Sequence, residues 1–291
     1  MSDAKPTVLV QLDTDPLPSV FDGVVAVDSG VDHLFRHGGI TPANVRDLVY
    51  GALFTRGPVD LHRTALFVGG SDVLEAEAVL EAIKQTFFGP FRVSVLLDAN
   101  GSNTTAAAAV LAALTSVGGS LQGAEAVVLP ATGPVGQRVA RLLGRLGASV
   151  TIGSRALERA RSLAERLHKT TGGRFEAIAS TDANQLDSAL SKASVVVCAG
   201  PEGTPILPAG LWQERAGLRV VIDLNAVPPL GVEGIEPSDR GNERHGARTW
   251  GALGVGALKM KIHKQAIKEL FVSNDKILDV EEVLELGRAL A

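Results

Sequence analysis

The stretch AEAVVLPATGPVGQRVARLLGRLGASVTIGSR, Ala124 to Arg155, decides the fold. Ala126-Val127-Val128-Leu129 is a short apolar, β-prone run of the kind buried on both faces of a parallel sheet. Ala131-Thr132-Gly133-Pro134-Val135-Gly136 supplies the turn that must follow. Gly133 lets the backbone approach a pyrophosphate, Pro134 suits the first turn of a helix, and Gly136 lets that helix lie close to the strand. Apolar positions Val135, Val139, Leu142, Leu143 and Leu146 then recur at helical spacing, Gly147 closes the helix, and Ser149 to Ile152 returns as a strand. The result is a βαβ unit whose helix N-terminus offers free N–H groups to phosphate, with Thr132, Gly133, Pro134, Val135 and Gly136 as cofactor-binding candidates. Ala131 stands where GxGxxG has its first glycine. A glycine turn alone also serves a purely structural end; the strand, helix and return strand in register favour cofactor binding.

The end of the second strand chooses between cofactors. An acidic residue about 20 residues after the glycines would accept hydrogen bonds from the ribose 2′-OH of NAD. Here the residues are Gly153-Ser154-Arg155, a hydroxyl and a guanidinium that suit a 2′-phosphate, with no carboxylate to repel it. Ser154 and Arg155 therefore point to NADP, with NAD open as a second cofactor. The competing reading makes Arg155 a solvated residue opening the helix Ala156 to Leu167, on which Arg159 and Arg161 show that surface arginines are common.

Further along, Ala193 to Cys198 reads as a buried strand ending in Ala199-Gly200-Pro201, and Leu218 to Asp223 as another. Loops after such strands face the cofactor crevice, which makes Ala199, Gly200 and Asn225 candidates for the nicotinamide side. Cys198, with apolar flanks and no histidine nearby in sequence, reads as a small core residue.

The first hundred residues form a second α/β region. Thr7 to Leu12 and Thr64 to Val68 are strands; Thr41-Pro42 caps a helix to about Phe54; Gly69-Gly70 leads into a helix Val73 to Phe87. Phe91 to Leu97 is the last strand, followed by the polar loop Asp98 to Thr105 and an alanine-rich helix to about Leu114. That loop is either an N-cap, with Ser102, Asn103 or Thr104 satisfying the helix, or a ligand-binding run. The glycine-rich Ser116 to Ser120 marks passage into the nucleotide domain, and terminal helices with apolar positions Ala266, Ile267, Leu270, Ile277, Val280, Val283 and Leu284 fold back onto the first region. Lys259 and His263 share one helical face after the cluster Gly251 to Gly256.

Composition sets the outer limits. The chain has 291 residues, 45% of them hydrophobic, enough for two domains, and a net charge of −4 that offers no basic field to nucleic acid. One cysteine forms no internal disulfide, which suits a reducing cytoplasm. The opening MSDAKPTVLVQLDTD turns acidic too soon for a signal peptide, and no apolar run approaches membrane-spanning length. HExxH, GxSxG, cysteine pairs and metal-ligand clusters are absent from the sequence, so no metal is expected.

The blocks QLDTDPLPSVFD, TPANV, FVGGSD, FFGPFRVSVLLDANGSNTTAAA, ATGPVG, LNAVPPLGVEGI and GALGVGALKMKIH resemble, nearly end to end, the bacterial methylene-tetrahydromethanopterin dehydrogenases of one-carbon metabolism. The resemblance implies a pterin-binding α/β domain (1–115), a Rossmann-like parallel-sheet NADP-binding domain (116–257) and C-terminal helices (258–291) packing on the first domain. It implies reversible hydride transfer from methylene-tetrahydromethanopterin to NADP, in a cytoplasmic homo-oligomer, trimer or hexamer. Lys259 and Asp22 are similar to the family's active-site lysine and acidic residue, and Asn103, Thr104 and Thr105 to its substrate loop. Three alternatives stay open: methylene-tetrahydrofolate as substrate, an NADP oxidoreductase of the shikimate dehydrogenase type, and a non-catalytic NADP-binding sensor.

Overall fold

A computed structural model describes residues 5–290. Met1–Ala4, the start of the segment weighed above against a signal peptide, and Ala291 lie outside the described residues. The chain divides into two units, one formed by residues up to Thr104 together with Met260–Leu290, the other by Thr105–Lys259.

The first unit opens with β1 (Val8–Asp13), α1 (Val20–Asp28), β2 (His33–His37), α2 (Val45–Phe54), β3 (Thr64–Gly69), α3 (Val73–Thr86), β4 (Ser94–Leu97) and the start of α4 (Ser102–Ser116). The second holds β5 (Glu125–Leu129), α5 (Pro134–Arg145), β6 (Ser149–Ser154), α6 (Leu157–Thr171), β7 (Arg174–Ala179), α7 (Ala183–Lys192), β8 (Val195–Cys198), β9 (Val220–Asp223), β10 (Arg240–Arg244), β11 (Ala247–Trp250) and the start of α8 (Ala252–Glu269). After α8 the chain adds β12 (Ile277–Leu278) and α9 (Val280–Arg288) to the first unit.

In the first unit the order β12-β4-β3-β1-β2 is parallel throughout. The chain runs from β1 to the edge strand β2 and returns on the other side as β3, so the topological switch falls between β1 and β3. Their core faces carry Val10, Leu12, Leu66 and Val68 against α2 and α3, whose Val49, Leu53, Val79 and Ile83 are buried at helical spacing. In the second unit the order β10-β11-β9-β8-β5-β6-β7 is the Rossmann arrangement, with the switch between β5 and β8 and one antiparallel edge strand, β10. β5 and β8 are buried along their apolar residues, as strands covered on both faces must be.

Several boundaries differ from expectation. The last strand of the first region starts at Ser94, not Phe91, because Phe88 and Phe91 bridge each other across Gly89 (φ +52°) and close a tight turn. α2 starts at Val45, since Thr41 to Asn44 form a turn in which the Asn44 side chain accepts from Thr41 N. The first change of unit falls within the opening turn of α4, whereas Ser116 to Ser120 marks only that helix's end. The glycine cluster after Gly251 is the first turn of α8, where Cβ atoms on Gly251 and Gly254 would lie 2.1 Å from Glu236 O and 2.0 Å from Asp239 O. α1, β2, β7, α7, β10, β11 and β12 were not anticipated as elements.

Candidate functional site

In the second unit the glycine turn leaves β5 and enters α5 with Pro134 at its start. Gly136 is needed for contact: a Cβ there would stand 2.4 Å from Pro130 O and 2.9 Å from Ala131 Cα. Gly133 is different. It is the N-cap, it has no side chain to satisfy the first N–H groups of α5, and a Cβ would meet nothing within 4 Å. Open space above uncapped N–H groups is what a pyrophosphate requires. Ala131 takes no positive φ; its N–H donates to Gly153 O at 2.8 Å, so the turn closes without the first glycine of the fingerprint.

β6 delivers Ser154 and Arg155 beside this turn. Thr132 Oγ1 lies 3.5 Å from Ser154 Oγ, and Ser154 Oγ accepts from Ala156 N at 3.3 Å. Ser154 is buried and Arg155 exposed. Pro134 is exposed and Val135 half-buried at the opening of α5. Beyond β8, Ala199 N donates to Leu129 O at 2.7 Å, and Ala199 and Gly200 stay half-buried at the strand ends. These residues fit a dinucleotide carrying an extra phosphate.

Asn225, expected on the nicotinamide side, also holds its own loop. It is 3% exposed, its Nδ2 donates to Pro229 O at 3.2 Å, and its Oδ1 accepts from Val227 N at 2.9 Å. With Asp223, which accepts from Asn225 N and Val232 N, it organises the loop around the cis Pro228-Pro229 bond. Burial raises the Asp223 carboxyl above its ordinary range, against the pull of its backbone hydrogen bonds. Burial likewise pushes the Cys198 thiol well up, which keeps it protonated and inert.

In the first unit the loops after β1, β3 and β4 are laced together at the switch point. Thr14 N donates to Gly69 O, Ser71 N and Oγ donate to Asp15, and Asn100 N donates to Gly70 O. Gly70 must be glycine: it has φ +120°, and a Cβ would lie 1.9 Å from Thr14 Oγ1. Wholly buried Asp13 accepts from Asp15 N at 3.0 Å and Ser19 N at 2.9 Å, which aims the chain into α1. Ser19 caps α1 by accepting from Asp22 N at 3.3 Å, so Asp22 occupies the first helical turn, half-buried, rather than the cap.

Asp98 has the corresponding role after β4. Its Oδ1 accepts from Asn103 N at 2.9 Å and Thr104 N at 3.0 Å, and its Oδ2 from Thr104 Oγ1 at 2.7 Å. The cap of α4 is therefore Asp98, not Ser102, Asn103 or Thr104. Asn103 and Thr104 sit in the helix, fully buried, and Asn103 Nδ2 donates to Leu97 O and Asp279 Oδ1. Of the polar run, Thr105 alone keeps partial exposure beyond the cap. His263, on α8, is buried with its ring stacked on Phe67 and its Nδ1 3.9 Å from Asp98 Oδ2. Lys259 is 9% exposed on the same helix. Asp13 and Asp15 escaped sequence reasoning, and Asp98 and His263 were noted there without these roles; aspartates directly closing the apolar runs VLVQL and SVLL were the available signal. Among the described residues no group of three or more His, Cys, Asp or Glu is placed to hold a metal, and no helix is long and apolar enough to cross a membrane.

A family model described as methylene-tetrahydromethanopterin dehydrogenase, N-terminal, matches residues 20–100. A second, described as NADP oxidoreductase, coenzyme F420-dependent, matches residues 126–227. The bifunctional protein MdtA of Methylorubrum extorquens is 45% identical over 98% of this chain and 99% of its own length. The chain belongs to the methylene-tetrahydromethanopterin dehydrogenase family. The NAD(P)-dependent methylenetetrahydromethanopterin dehydrogenase of the same organism is 30% identical, over 94% of this chain and 95% of that one. Both relatives thus match both units, the glycine turn included. Solved structures share the fold at much lower identity. Shikimate 5-dehydrogenase from Listeria monocytogenes, solved with shikimate and NAD, is 14% identical with a TM-score of 0.56, covering 98% of this chain and 96% of that one. Ornithine carbamoyltransferase from Pyrococcus furiosus is 12% identical with a TM-score of 0.57, covering 92% and 84%. One architecture serves such different proteins, so these likenesses speak to the fold alone.

Proposed function

We propose that the chain oxidises methylene-tetrahydromethanopterin to methenyl-tetrahydromethanopterin by reversible direct hydride transfer to NADP, with NAD as a second acceptor. The observation that carries this reading is the match of both units, nearly end to end, to a relative with that activity in its name, beside the family model on the first unit.

NADP, when bound, supplies the hydride acceptor at its nicotinamide C4. The chain's own part is placement. Gly133 and Gly136, with Thr132, Pro134 and Val135, bring the uncapped end of α5 to the pyrophosphate, and Ser154 and Arg155 take the 2′-phosphate. Ala199 and Gly200, at the end of β8, and Asn225, which also shapes its own loop, flank the nicotinamide side. Asp22 and the loop residues Asn103, Thr104 and Thr105 serve the pterin, Asn103 and Thr104 also holding the end of α4 to Asp98, and Lys259 is carried over as the family's active-site lysine. The carbon losing hydride lies between two nitrogens that stabilise the resulting cation, so no base is needed to remove a proton. Catalysis then rests on positioning and electrostatics. Asp22 favours the growing positive charge. Lys259, a cation itself, binds a substrate oxygen or pairs with a carboxylate.

The protein is cytoplasmic and homo-oligomeric, trimer or hexamer, in this reading. The buried reduced Cys198 supports the first point. The exposed apolar residues Val20, Phe21, Val24 and Val27 along α1 support the second, which light scattering tests. The domain division proposed is 1–115 for the pterin, 116–257 for the nucleotide and 258–291 as C-terminal helices belonging with the first, a division that the two units support with boundaries shifted at α4 and α8.

The deciding experiment is formation of reduced nicotinamide from methylene-tetrahydromethanopterin with NADP and with NAD. One relative is described as bifunctional, so methylene-tetrahydrofolate is assayed beside it. Absence of reduced nicotinamide in every combination rejects the proposal.

A further inference from the structure

We propose that Arg159 is a second residue, beside Arg155, that grips the 2′-phosphate of NADP and sets the preference over NAD. The inference rests on the NADP reading above and assigns a residue that the sequence left among common surface arginines.

An open groove of about 440 Å³ runs along the second unit, lined by Thr132, Gln137, Glu158, Arg159, Ser162 and Arg166 among others. Thr132 ties this groove to the cofactor position. It belongs to the glycine turn, and its Oγ1 stands 3.5 Å from Ser154 Oγ at the end of β6, where the ribose 2′ substituent falls. Arg159 lies in the first turn of α6, after the N-cap Ala156. Its Cβ tilts toward the helix N-terminus, on the Ser154 side, and its side chain lines the groove that Thr132 also lines.

The charges around the groove sort themselves. Glu158 would oppose an anion, but its carboxylate is taken by Arg161 Nη1 at 2.8 Å. Arg166 Nη2 donates to Gln137 Oε1, and Gln137 Nε2 donates to Thr132 O at 3.0 Å, so Arg166 is committed to bracing the turn. The guanidinium groups of Arg155 and Arg159 make no hydrogen bond or ion pair among the described residues. Two unpaired cations at the positive end of a helix are unfavourably placed, and Ala156 has no side chain to cap that end. A phosphate dianion between them resolves both conditions, with Arg155 on one side and Arg159 on the groove side.

The test is calorimetric binding of 2′,5′-ADP and 5′-ADP to the wild type, Arg159→Gln and Arg159→Lys, beside the NADP to NAD ratio of kcat/KM. A charge-assisted hydrogen bond of this kind corresponds to a loss of about ten- to a hundredfold. Arg159→Gln is expected to weaken 2′,5′-ADP by that factor and to leave 5′-ADP within about twofold, with Arg159→Lys between. Unchanged 2′,5′-ADP binding in Arg159→Gln, or an equal loss for both nucleotides, overturns the inference while the NADP reading stands. A wild type that binds the two nucleotides alike overturns the NADP reading and the inference with it.

Discussion

The carboxylate of Asp98 and the imidazole of His263 face each other at 3.9 Å, both without solvent exposure. Asp98 also accepts the two backbone N–H groups that open α4 and the Thr104 hydroxyl, so one side chain serves the end of β4, α4 and α8. Asp98→Ala leaves the two backbone N–H groups buried without that acceptor, the Thr104 hydroxyl keeping Gly101 O at 3.3 Å, and is expected to cost about 3 kcal/mol. His263→Phe keeps a ring against Phe67, where the present rings stack at 5.8 Å and 17°, and is expected to cost about 1 kcal/mol. Urea unfolding separates the two. Equal losses would make the His263 contact, not the cap, the main role of Asp98.

Gly133 and Gly136 differ in what a methyl group meets. Gly133→Ala extends into open space at an ordinary backbone conformation, so stability should change by no more than about 0.5 kcal/mol. The methyl group would nonetheless stand where a pyrophosphate approaches, and NADP affinity should fall about tenfold or more. Gly136→Ala drives Cβ to 2.4 Å from Pro130 O and should destabilise by about 1–3 kcal/mol. Thermal denaturation beside a fluorescence titration with NADPH checks both. A Gly133→Ala protein that binds NADPH normally would show that the cofactor does not use this turn.

What the sequence showed follows from how locally each feature is determined. The glycine turn and its strands were legible because Val127-Val128, Gly133 and the repeat from Val139 to Leu146 lie within one short segment. β2 was not. His33 to His37 is an edge strand with little covered surface, so its polar sequence carries no apolar run. β12 has two residues and exists through pairing with β4, far back in the chain. The same limit governs the site. Asn103 and Thr104 read in sequence as either cap or ligand residues because hydrogen-bonding side chains announce only that they need partners. That Asp98 and Asp279 are among those partners is set by the fold.

Asp239 couples pH to stability. It is 2% exposed, accepts from Arg244 Nε at 2.7 Å and Nη2 at 2.8 Å, and accepts from Thr249 Oγ1 at 2.8 Å. Burial opposes its ionisation, but Arg244 and Thr249 outweigh it and hold the carboxyl below its ordinary value of 3.8. Between the folded and unfolded values the unfolded chain binds more protons, so stability rises with pH there and is lost as pH falls through the folded value. Asp239→Asn should cost about 2–3 kcal/mol at neutral pH. The gap between variant and wild type should close as pH falls below 3.8. Denaturant titrations across that range measure the gap, and one that stays constant removes Asp239 from the acid response.

Lys259 and Asp22 should fail in different kinetic constants. Hydride leaves a carbon between two nitrogens, and the pterin gains positive charge on the way to product. A carboxylate facing it is worth more in the transition state than in the ground state, whereas an ammonium is worth less. Asp22→Ala should therefore lower kcat, by about tenfold for an interaction in a half-buried first turn of α1, with a smaller change in KM. Lys259 sits 9% exposed on α8, and the proposed contact of its ammonium is to a substrate oxygen present before and after hydride transfer. Lys259→Met keeps most of the apolar stem and should raise KM for the pterin about tenfold or more while kcat moves less. Binding of 2′,5′-ADP, unaffected in both variants, would show that the nucleotide unit remains intact. If Lys259→Met instead loses kcat at unchanged KM, the lysine acts on the transition state itself, and the assignment of Asp22 as its electrostatic counterweight falls with it.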